Sequence, residues 1–281
     1  MSIAAAGPAV VRFYDTHPIN EEQIRHALLE RGADLGALTE DTLKDLDQDH
    51  FGGIEANDIL IERAGMQARH LVLDVCSGMG GPARYFAHRV GCRVVGLDLT
   101  QSRFAAAQRL TQLVHLEELV TFRHGNALAM PFDSASFDVV VGQEAWCHVP
   151  DKSRLIGECA RVVKPGGVIA FTDILRRASL TPPDKLRIES GMAFQDLETL
   201  DGYRDLLAAH GFDLRHQEDL GDLWARILVH RLAMYRSLGA DTARKFGVER
   251  SREWDDMYAF FVELFERRAL GGGRFVAQRA G

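Results

Sequence analysis

The chain has 281 residues, 46% of them hydrophobic and 26% charged, a balance that excludes a disordered or coiled-coil protein and allows one large core with insertions. Its formal net charge of −7 argues against general attraction to nucleic acid and makes a small solute the expected partner. Four widely spaced cysteines, Cys76, Cys92, Cys147 and Cys159, lack the pairing of a zinc site or a disulfide framework, which fits a reducing cytoplasm. The opening MSIAAAGPAVVRFYD has no basic region ahead of its short apolar run. No stretch reaches the roughly 18 to 20 apolar residues that cross a bilayer. Neither a signal peptide, a membrane partner nor a metal is expected.

Residues 1–10 are small and read as a loose segment. From Asn20 to Arg31, NEEQIRHALLER places Ile24, Ala27 and Leu28 at helical spacing behind a capping Asn20 and two first-turn glutamates, which predicts a helix. A second short helix is expected at 39–46, and a third at 53–64, ended by Gly65. Strands and helices then alternate, the pattern of a doubly wound, mostly parallel α/β sheet. Strands are expected at 70–75, 93–97, 120–123, 137–143 and, after the KPGG turn at 164–167, in VIAFTDI. The intervening helices are placed at 82–90, 101–114, where Thr100 could cap, and 151–163.

The rhythm changes after Asp173. Residues 175–199, with Pro182, Pro183 and the amphipathic DKLRIESGMAF, are too long for a plain connection and read as part of a lid. A helix at 202–210, a sixth strand FDLRHQEDL, two longer helices at 222–238 and 250–268, and a last antiparallel strand in GGGRFVAQRAG complete the chain.

The stretch HLVLDVCSGMGGPA, residues 70–83, organises the rest. A buried strand ending near Asp74 runs into Gly78, Gly80 and Gly81 and then a helix start, so a ligand can approach the backbone closely. GMGGPA also satisfies the loose GxGxxA form of a dinucleotide turn, with Asp98 about 20 residues on to hold a ribose. A nicotinamide-dependent oxidoreductase is therefore one reading. Two residues weigh against it. Asp74 would repel a pyrophosphate and welcome an α-amino group, and Asn126 in HGNALAMPF can offer an amide oxygen to an adenine amine.

LDVCSGMGG, GLDLT, GNALAMPF and ARVVKPGG, spread in this order over about residues 70–175, resemble the motifs of class I S-adenosylmethionine-dependent methyltransferases. The resemblance implies a seven-stranded, Rossmann-like methyltransferase fold with N-terminal helices and helical cap insertions. It divides one continuous domain into an N-terminal helical lid segment (1–65), a donor-binding core (66–175) and the rest of the sheet with substrate-cap helices (176–281). The implied cofactor is S-adenosylmethionine, leaving as S-adenosylhomocysteine. Asp74 would face its amino end, Asp98 its ribose hydroxyls, and Asn126 its adenine. The backbone of Gly78, Gly80 and Gln143 would hold its methionine part, with Cys76, Ser77, Leu99, Arg103 and Ala127 completing the site. Cys76 stands where the family commonly has its first glycine, and the loop is expected to keep its shape with a tighter pocket.

GQEAWCHVPDK (142–152) is similar to a segment of the sarcosine/dimethylglycine and phosphoethanolamine N-methyltransferases. By that likeness Tyr14 and His148 match a tyrosine and histidine that cover the substrate amine and are the expected catalytic residues, the imidazole as base or orienting group and the phenol as acceptor of the amine's remaining hydrogen bond. The phosphate-binding positions of the phosphobase enzymes stand here as Ile174, Ala193 and Gln195, against a phosphobase acceptor. Trp146, Met192, Phe194 and Trp224 are expected to line the acceptor pocket. Glu144 and Asp173 are expected either to bind a cationic group or to make structural hydrogen bonds. The expected function is methyl transfer to the nitrogen of a small polar metabolite, with transfer to oxygen, sulfur or carbon as the alternative, by a cytoplasmic monomer or homodimer.

Overall fold

The computed structural model describes residues 3–281; Met1 and Ser2 lie outside the described residues. Four helices come first: α1 (Ile3–Asp15), α2 (Glu21–Glu30), α3 (Glu40–Leu43) and α4 (Gly53–Ala64). The alternating region follows as β1 (Leu71–Val75), α5 (Gly81–Val90), β2 (Arg93–Asp98), α6 (Gln101–Leu113), β3 (Val120–His124), β4 (Phe137–Gln143), α7 (Lys152–Val162) and β5 (Val163–Arg176). The remainder is α8 (Pro182–Gly191), α9 (Leu200–Ala209), β6 (Phe212–Asp219), α10 (Gly221–Ser237), α11 (Gly239–Phe246), α12 (Val248–Glu266) and β7 (Leu270–Arg279).

The seven strands form one sheet in the order β3-β2-β1-β4-β5-β7-β6. The first five are parallel to their neighbours, and β7 lies antiparallel between β5 and β6. The chain leaves β1 toward β2 and β3, then returns to the other side with β4. The strand order therefore reverses between β1 and β4, and a crevice opens at their carboxyl ends. Successive side chains of a strand point to opposite faces. Val72, Val139 and Val141 accordingly pack with Leu60, Phe86 and Ala107 on one face. Leu73 and Val140 pack with Leu155, Cys159, Tyr203 and Leu207 on the other. A third cluster joins the N-terminal helices to the cap, with Phe13, Leu28, Leu43, Trp224, Trp254 and Phe261 buried together.

Three expectations need correction. Residues 3–10 belong to α1 rather than to a loose segment. Their alanines favour helix, and although Pro8 removes one amide donor, Val10 and Phe13 are buried against the cap, which supplies the stability that propensity alone does not. The connection between α10 and α12 contains α11, eight residues long with Thr242 as its buried residue, too short for its spacing alone to be read as a helix. Finally, KPGG is a bulge within β5 rather than a turn before it: Phe137 pairs with Val163 and Val139 with Val168, so the extra residues are accommodated around Gly166, at φ 74°. Among the described residues no helix is long and apolar enough to cross a membrane.

Candidate functional site

The carboxyl ends of β1 to β4 carry a row of polar groups. Neighbouring strands are about 4.8 Å apart, so the order β3-β2-β1-β4 sets out Asn126 (just past β3), Asp98, Asp74 and Gln143 along one edge. They line a single cleft of about 1260 Å³ when the open solvent at its mouth is included.

The glycine turn is locked to β2. Cys76 and Ser77 both donate their amides to the Leu97 carbonyl, at 2.8 and 3.0 Å. Asp98 accepts from the Gly78 amide at 2.8 Å and from the Thr100 amide at 2.8 Å. One carboxylate thus fixes both the turn and the start of α6. Thr100 occupies the cap position without making a side-chain cap bond; Asp98 instead holds Thr100 by the latter's own amide. Cys76 keeps the loop at a cost: its φ is 65°, a left-handed conformation that suits the glycine usual there.

Asp74 is 3% exposed and its Oδ2 has no partner among the described residues. Burial, and then the charge of Asp98, raise its pKa to about 7. Ser77 Oγ and Gln143 Oε1 are likewise buried without partners. Asn126 Oδ1, expected to face an adenine amine, already accepts from the Leu128 amide at 2.9 Å, leaving one lone pair.

Helix α1 closes the other side. Tyr14 Oη lies 3.1 Å from His148 Nε2, and His148 Nδ1 lies 3.1 Å from the Ala193 carbonyl. A carbonyl only accepts, so Nδ1 carries the proton and Nε2 accepts from the Tyr14 hydroxyl. Burial lowers the His148 pKa to about 4, so the ring is neutral at pH 7. Arg103, in the first turn of α6, places its guanidinium 5.0 Å from the Tyr14 ring centre and also lines the cleft with Leu99.

Glu144 follows β4 with φ 47°. Its Oε2 accepts from the Phe51 amide at 2.5 Å, while Oε1 is buried and unpartnered. Burial is the main cause that raises its pKa to about 7.

Of the residues expected from sequence, Tyr14, Asp74, Cys76, Ser77, Gly78, Asp98, Leu99, Arg103, Asn126, Ala127, Gln143 and His148 line the cleft, as does Glu144. Gly80 does not line it. At φ 79° it completes the turn, and a Cβ there would meet the Phe122 ring at 2.5 Å. Trp146, Met192, Phe194 and Trp224 do not line the cleft either. Trp146 is fully buried beneath it, donating to the Val75 carbonyl at 3.2 Å and stacked on Phe171. Gly142 makes room for its indole, since a Cβ would come within 2.3 Å of it. Met192 and Phe194 sit in the cap core, with Phe194 5.3 Å from the His148 ring. Trp224 packs on Phe51 and over Gly272. Large apolar side chains in the insertions are drawn inward, so they support the walls rather than form them. Asp173 is fully buried and bonded to Tyr203 and the Cys147 amide, which is the structural alternative.

The sequence reading missed Asp47, Asp49 and His50, which line the cleft from the loop between α3 and α4. Arg84, fully buried, bonds Asp47 at 2.6 Å, and Arg231 bonds Asp49 at 2.9 Å. The string DQDHFGG carried the signal: acidic, amide and imidazole groups crowded ahead of two glycines.

Residues 73–171 match the profile of the methyltransferase domain family. The chain is 37% identical over 169 residues to a sterol 24-C-methyltransferase of Eremothecium gossypii, covering 58% of this chain and 45% of that protein. It is 29% identical over 158 residues to the sarcosine/dimethylglycine N-methyltransferase of Halorhodospira halochloris, covering 54% of this chain and 57% of that one. The chain thus spans about half the length of these curated relatives. In fold it is similar to Haemonchus contortus phosphoethanolamine N-methyltransferase 2, solved with S-adenosylhomocysteine: the TM-score is 0.76 at 20% identity, over 96% of this chain and 59% of that one.

Proposed function

We infer from one premise, that the chain belongs to the S-adenosylmethionine-dependent methyltransferases, that it methylates the nitrogen of a small polar metabolite. The residues present fit this donor. Buried acceptors without partners, Asp74 Oδ2, Ser77 Oγ and Gln143 Oε1, suit a ligand that carries an ammonium group and a cationic centre and brings its own donors. Asp98 would take the ribose hydroxyls on the lone pairs its two backbone contacts leave free, and Asn126 and Ala127 would flank the adenine. Bound along this row, the donor supplies a methyl group on a sulfonium, open to in-line attack.

The observation that carries the choice of nitrogen is Glu144, a carboxyl on the cleft wall with one buried, unpartnered oxygen. Its pKa of about 7 suits it to take a proton from an ammonium acceptor near neutral pH. Tyr14, fixed by neutral His148, covers the same end and helps α1 exclude water. Transfer to carbon is the second reading, favoured by the 37% identity to the sterol 24-C-methyltransferase. Adding a methyl to an alkene leaves a carbocation, which the same carboxyl would stabilise.

Incubation of the protein with methyl-labelled donor and a panel of small amines, amino acids and isoprenoid alkenes tests both readings. Label on nitrogen supports the first, and label on carbon alone replaces it with the second. A Glu144→Gln variant should lose turnover while keeping S-adenosylhomocysteine affinity.

A further inference from the structure

We propose that His50 is a positioning residue for donor recognition: a single hydrogen bond from Gln143 to its imidazole holds the Gln143 amide oxygen toward the cleft, where it accepts from the donor's α-ammonium group. The inference rests on the reading of the cleft as an S-adenosylmethionine site and adds to it the residue that sets its polarity.

The direction of every bond in the chain of contacts behind Gln143 is determined by its far end. Asp47 is ion-paired with Arg84 at 2.6 Å, so its carboxylate can only accept. It takes Gln48 Nε2 at 2.7 Å, which turns the Gln48 oxygen away. That oxygen receives Asn57 Nδ2 at 2.8 Å and faces His50 Nε2 at 3.0 Å. An amide oxygen cannot donate, so His50 Nε2 carries the proton. Burial holds the His50 pKa down to about 4, so the ring has only one proton at pH 7 and Nδ1 is a bare acceptor. Gln143 Nε2, 3.1 Å away, must supply the hydrogen. Its Oε1 is then the atom left over, buried and without a partner among the described residues.

Without His50 the Gln143 amide could rotate and present its NH₂ to the cleft, where an ammonium group would meet a donor instead of an acceptor. Asp74 Oδ2, a second unpartnered acceptor, lies at the end of the neighbouring strand. Together the two offer an anionic and a neutral oxygen to one ammonium. The loop carrying His50 is itself held, since Arg231 donates to the His50 carbonyl at 3.3 Å and to Asp49 at 2.9 Å. The correct amide orientation is therefore available only when the α3–α4 loop is seated, which links loop closure to recognition of the donor's amino acid end.

The test compares two ligands by calorimetry: S-adenosylhomocysteine, which has the ammonium, and 5′-methylthioadenosine, which lacks the amino acid part. His50→Ala should weaken S-adenosylhomocysteine by about tenfold or more, the scale of a lost hydrogen bond to a charged group, and leave 5′-methylthioadenosine within about twofold. Gln143→Met should do the same, and the double variant should be no weaker than Gln143→Met alone. His50→Phe, which keeps the ring volume without the lone pair, serves if the alanine variant folds poorly. Equal weakening of both ligands, no weakening of either, or additive effects in the double variant would overturn the proposal. Failure of the unaltered protein to bind S-adenosylhomocysteine at all would overturn the reading of the cleft itself.

Discussion

Asp74, Asp98 and Gln143 stand at the carboxyl ends of interior strands, Asp74 paired on both sides, Asp98 with His124 of β3 and Gln143 with Thr172 of β5. Tyr14, Asp47, Asp49 and His50 reach the same cleft from segments held by side-chain bonds to distant partners. Tyr14 and His148 are 134 positions apart, Asp49 and Arg231 182, and Asp47 and Arg84 37. The sheet side is therefore pre-organised whether or not a ligand is bound. The helical side forms only when its long-range contacts do, and each contact can be removed without touching the sheet.

The largest effect that would sharpen this contrast is at Arg84. Arg84→Met leaves Asp47 buried without its partner and should cost about 3–5 kcal/mol, read from denaturant unfolding. An unchanged midpoint would mean that the loop does not depend on this pair. Asp98→Ala attacks the sheet side instead, where loss of charged hydrogen bonds should weaken S-adenosylhomocysteine by about a hundredfold, and near-normal calorimetric affinity would refute its place in the row. Tyr14→Phe, which removes one hydroxyl from the helical side, should lower turnover by about tenfold with little change in S-adenosylhomocysteine affinity. Equal losses in both would make Tyr14 part of the donor site.

The pH dependence separates free from liganded protein. Asp74 and Glu144 have pKa values of about 7 in the folded chain, raised by burial from 3.8 and 4.5. Between about pH 4 and 7 the folded state holds protons that the unfolded chain has lost, so the free protein loses stability as pH rises through that window. A donor carrying an ammonium group favours ionised Asp74, so its affinity should increase as pH rises from 6 to 8. Calorimetry in buffers of differing ionisation enthalpy would detect the released proton, and a flat affinity across that range would show Asp74 to be ionised already. The smallest effect expected is at Cys76→Gly, which removes the left-handed strain at φ 65° and should stabilise by about 1 kcal/mol or less, measured by thermal unfolding.

The sequence by itself determined the seven-strand sheet and the residues that its strand ends bring to the cleft. Apolar runs with period two or none, glycines at the turn and an acidic residue at each of two strand ends are local signals, and local backbone geometry converts them directly into position. Only the tertiary structure decided the rest. Helix α1 is stable because Val10 and Phe13 find the cap, a contact absent from any window of neighbouring residues. Trp146 and Trp224 were legible as large and apolar, but whether such a ring walls a pocket or underlies it depends on the space a glycine leaves in the strand it packs on, Gly142 for the first and the distant Gly272 for the second. His50 acquires a direction for its lone pair only through Asp47, Gln48 and Gln143 together, a chain of contacts whose last member lies 93 positions away. Periodicity along the chain reports which side of an element is buried; which groups meet across the cleft is fixed by packing between elements, and the helical side of this cleft consists of such meetings.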